Sequence, residues 1–516
     1  MNKWPSIYTV ALVAAALVSP WASMVNSRAA TPATPKYVRE SRPLGRAIPT
    51  KTPLSAMPFL SLRTAPVGAS EGPTTPSLAP TIYGMRKFPY PYDAMLAISS
   101  DADHETLRKF NLVHEFINTK VMTPMGRGLG LDFADSMFMY NGSNMPGPID
   151  YGNVSIGHEL TWFRGTTGKP FEAAILNRYI HAGWIDTLHS FGDFSMANPA
   201  DTRFHRSLAV RALAALKANN DVLSVWTDHG NPSNVDDFGA YDRAKMFAYQ
   251  QGANPWSKYY IANLVVKYGV RFVWADLPSD QFGYYSIIYP KRLPNGHDVW
   301  GFWRYTNSGY TPAGDPEWVW TSDDLDKELT ITNLLQLENL RQYAIVAQHL
   351  ESNNDLFPLS KNSVMALRLL ARQYYEGHIL VTRTSRLLQY NVTQKYLRYR
   401  ITHVNGESVI HLVAIADPVF GSHLPTLSQV RGVTFYTSDP ARCIIEIDNK
   451  PVDPALVVRH WNGGHHPTVG IKWFSPDTKN YAVTFLPPPH RSIHAQGHSH
   501  SKKSHHKRGF WSRLFG

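Results

Sequence analysis

A single cysteine, Cys443, is present among the 516 residues of this chain. An intrachain disulfide therefore cannot form, and a metal site built from several cysteine thiolates is excluded. Long apolar runs are also lacking, because the run from Ile7 to Val18 is shorter than the roughly 20 residues of a membrane-spanning helix. The chain is nevertheless long enough to bury the core of one large domain and a smaller one without disulfides.

Acidic residues are scarce at both ends of the chain. Residues 1–80 contain eight Lys or Arg and two Glu, and residues 490–516 contain six Lys or Arg and no acid. The segment between them is close to neutral, whereas an enzyme acting on nucleic acid is expected to have basic charge on its fold. We therefore expect no nucleic-acid partner, and we predict that the basic ends contact a membrane surface or an anionic polymer.

The first 29 residues have the pattern of an export signal. Lys3 precedes the apolar run, and the small residues Ser27 and Ala29 suit cleavage by a signal peptidase. An uncleaved signal-anchor is the alternative. Either way, we expect an extracytoplasmic location, in the periplasm, on the cell surface or secreted. Residues 30–82 are rich in Pro, Thr and Ser and predict a linker, and the His- and Lys-rich residues 488–516 predict a disordered tail.

Helical and strand-like segments alternate between residues 83 and 390. The strand-like segments are nearly continuous apolar runs, as expected for parallel strands that are buried on both faces. This alternation predicts an α/β domain. The predicted strands are Met95–Ser100, Trp184–His189, Val222–His229, Val270–Asp276, Tyr343–His349 and His378–Arg383. The predicted helices are Glu105–Asn118, Ala174–Gly183, Arg203–Ala218, Tyr259–Tyr268, Asp324–Leu340 and Ser363–Tyr375.

From residue 391 to residue 487 the pattern changes to short alternating strands with no helix between them. The predicted strands include Leu397–Val404, Ser408–Ala416, Val433–Thr437, Ile444–Asp448, Val469–Phe474 and Tyr481–Phe485. This spacing predicts a small all-β domain of the sandwich type. Glycan binding and structural support of the first domain are both open as its role.

Ionisable residues stand at the ends of five predicted strands. Asp101 and Asp103 end the first strand, and residues two apart on a strand face the same side. One carboxylate could therefore bind a divalent cation while the other acts as a base. The C-terminal ends of the strands of a (β/α) barrel meet at the face where active sites form. Later strands end with His189 and nearby Asp193, with His229, with Asp276 and with His349.

The order of these residues resembles the polysaccharide deacetylase superfamily with NodB homology, whose fold is a distorted (β/α)7 barrel. The family's first motif, TFDDG, corresponds to Ser99–Asp103. Its second motif, H-[ST]-x-x-H, corresponds to His189–Asp193, and its late Leu-His motif corresponds to His349. Three departures are visible: Ala102 separates the paired aspartates, Asp193 replaces the second histidine, and no Arg-containing motif is found near His229.

The resemblance implies a hydrolase that removes acetyl groups, N- or O-linked, from an extracytoplasmic polysaccharide, with Zn²⁺ as the expected cofactor. Asp103 and His189 would bind the metal, and either Asp193 or His229 would complete the ligand set. Asp101 would be the base and His349 the general acid, and Asp276 would orient His349 or a substrate hydroxyl. Further candidate substrate contacts are Tyr140, Trp162, Asn231 and Arg304.

Two other functions stay open. A glycoside hydrolase on a similar barrel would need two carboxylates flanking the scissile bond, and Asp101 and Asp276 could serve. A non-catalytic envelope protein would use the first domain as a scaffold and the all-β domain to bind glycan.

Overall fold

A computed structural model describes most of the chain between residues 78 and 483. The predicted leader (1–29), the C-terminal tail (488–516) and most of the linker (30–82) lie outside the described residues, as do Asn231 and Asp276. No helix in the described part is long and apolar enough to cross a membrane. The described ranges are 78–103, 105–141, 158–194, 201–229, 234–238, 250–274, 278–279, 281–310, 316–318, 321–354, 356–461 and 466–483.

The described residues contain eight α-helices and 25 strands. The helices are α1 (Leu107–Asn118), α2 (Ala173–Ala182), α3 (Arg206–Ala218), α4 (Ala262–Tyr268), α5 (Leu325–Glu328), α6 (Ile331–Asn339), α7 (Lys361–Tyr375) and α8 (Thr384–Tyr396). The strands up to residue 302 are β1 (Ile82–Met85), β2 (Ala94–Ser100), β3 (Met122–Thr123), β4 (Gly126–Arg127), β5 (Asp135–Tyr140), β6 (Thr161–Phe163), β7 (Ile185–His189), β8 (Val225–Thr227), β9 (Phe272–Trp274), β10 (Pro278–Ser279), β11 (Ile288–Arg292) and β12 (Asp298–Phe302). The later strands are β13 (Arg304–Tyr305), β14 (Ser308–Tyr310), β15 (Pro316–Trp318), β16 (Tyr343–Gln348), β17 (Ile379–Val381), β18 (Leu397–Val404), β19 (Glu407–Asp417), β20 (Gly421–His423), β21 (Thr434–Thr437), β22 (Cys443–Ile447), β23 (Lys450–Pro451), β24 (Val457–His460) and β25 (Thr468–Ile471).

Two sheets of mainly parallel strands form the α/β part. One has the order β10-β13-β16-β2-β17, and the other has the order β11-β12-β9-β8-β7-β5-β6 with an antiparallel edge pair, β11-β12. Strands β12 and β13 are separated only by Trp303 and lie in different sheets, so the chain passes from one sheet to the other there. No ladder among the described residues joins the two sheets, so the fold is mixed α/β and a closed (β/α)7 barrel is not shown.

Strands β2, β5, β7 and β16 are buried along their whole lengths. This burial explains why most of them are continuous apolar runs, since both faces of the sheet are covered. The tryptophans also contribute to the core, because Trp184, Trp226, Trp274 and Trp300 are all fully buried. These four tryptophans are therefore core residues and are not evidence for a sugar-binding surface.

Two differences from the predicted elements have clear physical causes. The helix predicted over Asp324–Leu340 is two helices, α5 and α6, because the Thr330 side chain accepts a hydrogen bond from the Asn333 backbone and caps α6. Strand β5 was not predicted, because it begins with the polar residues Asp135 and Ser136, although both are buried.

Short strands dominate the C-terminal part, which contains the sheets β18-β19-β22-β23 and β1-β21-β25-β24. Ile410 of the first and Phe435 of the second belong to one hydrophobic cluster. The strand predicted over Tyr481–Phe485 is not observed in its described residues 481–483. These residues pack against the α/β part instead: the Asn111 side chain donates to the Val483 carbonyl, and Tyr481 meets Trp184 edge to face.

A buried carboxylate, Asp132, joins the segment before β5 to the start of α8. It accepts hydrogen bonds from Thr382 Oγ1 at 2.6 Å, from Arg383 Nη2 at 2.9 Å and from Arg386 Nη1 at 2.8 Å. Burial disfavours its charged form, but the two guanidinium groups hold the pKa of Asp132 below its usual value. The stabilisation from Asp132 is therefore present at neutral pH and is lost as the pH falls.

We expect Asp132→Ala to lower the free energy of unfolding by about 3–5 kcal/mol at neutral pH, because Arg383 and Arg386 lose their shared anion. Urea unfolding at pH 7 measures the loss. The control is Glu376→Ala, which removes the exposed partner of Arg372 and should leave the unfolding midpoint unchanged. Equal midpoints for Asp132→Ala and the parent would contradict the role of Asp132.

Candidate metal centre

Three histidines surround the carboxylate of Asp103. His189 Nε2 lies 3.0 Å from Asp103 Oδ2, and His229 Nε2 lies 2.8 Å from Asp103 Oδ1. His349 Nε2 lies 3.3 Å from Asp103 Oδ2. These residues stand at the C-terminal ends of β2, β7, β8 and β16. Strands β2 and β16 belong to one parallel sheet and β7 and β8 to the other, so the C-terminal ends of strands from both sheets meet at this site.

The ring orientation of His189 suits metal binding. Its Nδ1 lies 3.3 Å from the Thr227 carbonyl oxygen and 2.9 Å from Thr227 Oγ1. Nδ1 therefore faces Thr227 and Nε2 faces Asp103 Oδ2, so Nε2 is the ring nitrogen placed to bind a cation beside Asp103. Metal-binding histidines are commonly oriented in this way by a hydrogen bond from the other ring nitrogen.

His229 is held by its backbone and by an aromatic neighbour. Its backbone N–H donates to Asp237 Oδ1 at 3.0 Å. The Phe138 ring from β5 lies 5.9 Å from the His229 ring and stacks on His189 at 5.1 Å. Burial disfavours charge on His229, but the carboxylates of Asp103 and Asp193 raise its pKa to about 10. Without a cation, this histidine therefore holds a proton against Asp103.

Asp101 is the second carboxylate of the site. The Arg304 guanidinium donates to Asp101 Oδ2 at 2.7 Å and lies 4.4 Å from the centre of the Trp274 ring. Asp101 Oδ1 is buried and accepts no hydrogen bond from a described residue, although His189 Nδ1 lies 3.7 Å away. One oxygen of Asp101 is thus occupied by Arg304, and the other is available.

Both aspartates stay ionised in this setting. Burial disfavours the charged form of Asp101, but Arg304, His189 and His349 hold its pKa below the usual value. Burial also opposes charge on Asp103, yet the charge of His229 and hydrogen bonds from the three histidines hold its pKa well below the usual range. The site therefore has two anions at neutral pH, the buried Asp101 and the partly exposed Asp103.

The donor atoms of Asp103, His189 and His229 fit a divalent cation. One donor from each residue lies within 4.8 Å of the other two. One carboxylate and two imidazoles form a donor set that suits Zn²⁺ and other first-row ions. Histidine binds a metal through a ring nitrogen that has no proton, and aspartate binds a metal as the ionised carboxylate.

Six of the residues singled out in the sequence meet at this site: Asp101, Asp103, His189, His229, His349 and Arg304. The donor group of Asp103, His189 and His229 does not include Asp193. The charge of Asp193 acts on His229 instead. Asn231 and Asp276 lie outside the described residues.

Three expected substrate contacts need correction. Arg304 is completely buried and pairs with Asp101, so the Arg304 side chain is not open to a substrate. Tyr140 is also completely buried, with its hydroxyl donating to the Leu208 carbonyl. Trp162 is 4% exposed and belongs to the core cluster. Large aromatic side chains on parallel strands bury more apolar surface in the core than they would at a rim.

Sequence patterns did not reveal three supporting residues: Thr227, Phe138 and Trp274. Thr227 lies at a predicted strand end, two residues before His229. Its contact with His189 could not be predicted, because the two residues are 38 positions apart in the chain. Phe138 lies on the unpredicted strand β5.

Searches with the sequence find no matching protein-family model and no similar curated protein. The resemblance therefore rests on the sequence motifs alone.

The charge state of His229 gives a test of the site without substrate. In chelator-treated protein, we expect the His229 imidazole to titrate at about 10 and to be protonated at pH 8. Its contribution to stability should be complete below about 6.5 and should be lost as the pH rises through about 10. NMR of ¹⁵N-histidine-labelled protein measures the titration.

Asp103→Asn is the matched variant for this titration. It keeps the size of the side chain but removes the charge that raises the pKa of His229. We therefore expect the His229 titration to move to lower pH in this variant. A parent protein whose His229 is neutral at pH 8 in the absence of metal would disprove the arrangement.

Proposed function

We propose that this chain is a metal-dependent hydrolase that removes acetyl groups from an extracytoplasmic polysaccharide. The main support is the arrangement of Asp103, His189 and His229 as a cation-sized donor group beside Asp101, a second ionised carboxylate with an available oxygen. The choice of an acetylated glycan comes from the motif resemblance, and the location comes from the N-terminal sequence pattern.

A cation bound by Asp103, His189 and His229 would lower the pKa of a water molecule and polarise the acetyl carbonyl. Asp101 Oδ1 is the proton acceptor in this scheme, since it accepts no hydrogen bond from a described residue while Oδ2 is held by Arg304. A base must be ionised before it accepts a proton, and the low pKa of Asp101 meets this requirement at neutral pH.

His349 is the proposed general acid. Its Nε2 lies 3.3 Å from Asp103 Oδ2 and 4.0 Å from Asp101 Oδ2, so the ring adjoins both carboxylates. Its side chain is 19% exposed, whereas that of His189 is 2% exposed. His349 therefore adjoins the solvent side of the site, where the leaving amine or alkoxide would need a proton.

Arg304 is a positioning residue in this proposal. It is fully buried, contacts Asp101 Oδ2 and the Ser99 carbonyl, and lies against Trp274. Fixing one oxygen of Asp101 orients the other oxygen, and a buried guanidinium keeps the carboxylate ionised. The arginine thus supports proton transfer without contacting substrate.

We expect the Zn²⁺-loaded protein to release acetate from an acetylated polysaccharide and a chelator to abolish this activity. Asp101→Asn should lower kcat by about 10²–10⁴-fold while leaving Zn²⁺ content unchanged, because the base is lost and the ligands are not. Asp103→Asn and His189→Ala should lose bound Zn²⁺ and activity together. Enzymatic acetate measurement and elemental analysis provide the two readouts.

Glu376→Gln, an exposed site far from these residues in sequence, is the control and should match the parent. Formation of new reducing ends without acetate would instead support a glycoside hydrolase. Glycan binding that is unaffected by chelator, with no turnover, would support a non-catalytic envelope protein. Equal Zn²⁺ content in the parent and Asp103→Asn would refute the proposed metal site.

The pH profile tests the role of Arg304. Arg304→Met removes the positive charge that lowers the pKa of Asp101, so the acid limb of kcat/KM should move to higher pH. Arg304→Lys retains a positive charge and should shift the limb less. An unchanged acid limb in the Arg304→Met enzyme, at normal Zn²⁺ content, would exclude this role.

A further inference from the structure

A second group of acidic side chains is buried beside the first centre. Glu105 and Glu351 are fully buried, and Asp135 is 1% exposed. One carboxylate oxygen from each residue lies within 4.8 Å of the other two. Glu105 lies two residues after Asp103, and Glu351 lies two residues after His349, so the two groups share their supporting segments.

The carboxylates are poorly satisfied by the described protein groups. Both oxygens of Glu105, Asp135 Oδ2 and Glu351 Oε1 are buried and accept no hydrogen bond from a described residue. The Ser136 backbone donates to Asp135 Oδ1 at 2.8 Å, and Ser100 Oγ donates to Glu351 Oε2 at 3.3 Å. Ser100 also interacts with Asp135, and Asp135 interacts with Glu351. The buried Lys109 of α1 acts through its positive charge on Glu105 and Glu351. One ammonium group cannot balance three buried carboxylates, so the cluster needs further positive charge or protons.

His114 provides independent evidence of a missing ligand. Its Nδ1 lies 2.8 Å from Asn118 Oδ1, and the Asn118 amide nitrogen donates to the Leu131 and Phe133 carbonyls, which fixes the orientation of the amide. Asn118 Oδ1 can only accept, so Nδ1 bears the proton of the imidazole. In the neutral ring, Nε2 therefore presents a lone pair.

The lone pair of His114 faces the acidic cluster. Nε2 is buried without a hydrogen-bond partner in the described structure and lies 4.0 Å from Asp135 Oδ2. The ring is enclosed by Phe110, Phe133 and Trp184, an apolar setting that disfavours a charged imidazole. An unpartnered acceptor atom of His114 therefore adjoins Asp135, one of the three carboxylates of the cluster.

We propose that Glu105, Asp135 and Glu351 form a second binding site, for an oxygen-preferring divalent cation such as Mn²⁺, with His114 Nε2 at its edge. Oxygen atoms up to 4.8 Å apart can share one ion at roughly 2.1–2.6 Å from each. Three carboxylates select hard cations, whereas the two histidines of the first centre favour Zn²⁺.

This site would also join the two parallel sheets. Asp135 begins β5 of one sheet, and Glu351 follows β16 of the other. Glu105 lies in the chain segment that links β2 to α1. A cation held by all three would stabilise the segments that include Asp103 and His349. The inference does not depend on the reaction proposed for the first centre.

The test counts ions in the full-length protein. Metal-free protein receives one equivalent of Zn²⁺ and then excess Mn²⁺, unbound ions are removed, and bound metal is measured by elemental analysis and by Mn²⁺ EPR. We expect about one Mn²⁺ in addition to Zn²⁺ per chain. Asp135→Asn/Glu351→Gln should lose the Mn²⁺ and keep the Zn²⁺, and His189→Ala should do the opposite.

Glu328→Gln is the matched control, because Glu328 is also fully buried but belongs to neither group. It should keep both ions, and Glu105→Gln provides a second variant should the double variant not fold. Parent protein that retains Zn²⁺ but no Mn²⁺ would show that the cluster holds protons and would overturn the proposal. Mn²⁺ retention in a parent without acetate release would refute the proposed reaction alone.

Discussion

The contacts of Asp103 with His189 and His229 are the interactions on which the functional interpretation depends. A buried carboxylate is unfavourable unless charge or hydrogen bonds compensate it. Here compensation comes from imidazoles on separate strands, so the charge balance of the site exists only when the strand ends have converged. In a cation-bound form the same atoms would compensate the ion, which explains why one donor set serves both states.

The residues around Asp101 and Asp103 hold the two carboxylates and their histidine neighbours in different ways. Thr227 and Phe138 orient the ligand rings, and Arg304 keeps Asp101 ionised while occupying one of its oxygens. The two aspartates differ in partner: Asp103 faces histidines and Asp101 faces a guanidinium. In the proposed reaction, this difference in environment would allow two carboxylates, two residues apart, to act as ligand and base.

The acidic group of Glu105, Asp135 and Glu351 adds a constraint at the same junction. It lies where residues from the two parallel sheets meet, close in sequence to Asp103 and His349. Uncompensated acids at this point would weaken the contact between the sheets, whereas a bound cation would strengthen it. The positions of the segments that contain Asp103 and His349 would thus depend on how the charge of this acidic group is balanced.

Much of the local structure follows from the sequence alone, because apolar runs and helical periodicity are local properties. The strands β2, β7, β8 and β16 and the ionisable residues at their ends were predictable in this way. Strand β5 was not, since Asp135 and Ser136 interrupt its apolar pattern and only burial between neighbouring strands shows why they are tolerated. The choice of His229 for the donor group, the pairing of Arg304 with Asp101, and the burial of Tyr140 and Trp162 were decided by tertiary structure. Each of these depends on atoms brought together from segments distant in the chain, and sequence spacing contains no measure of that distance.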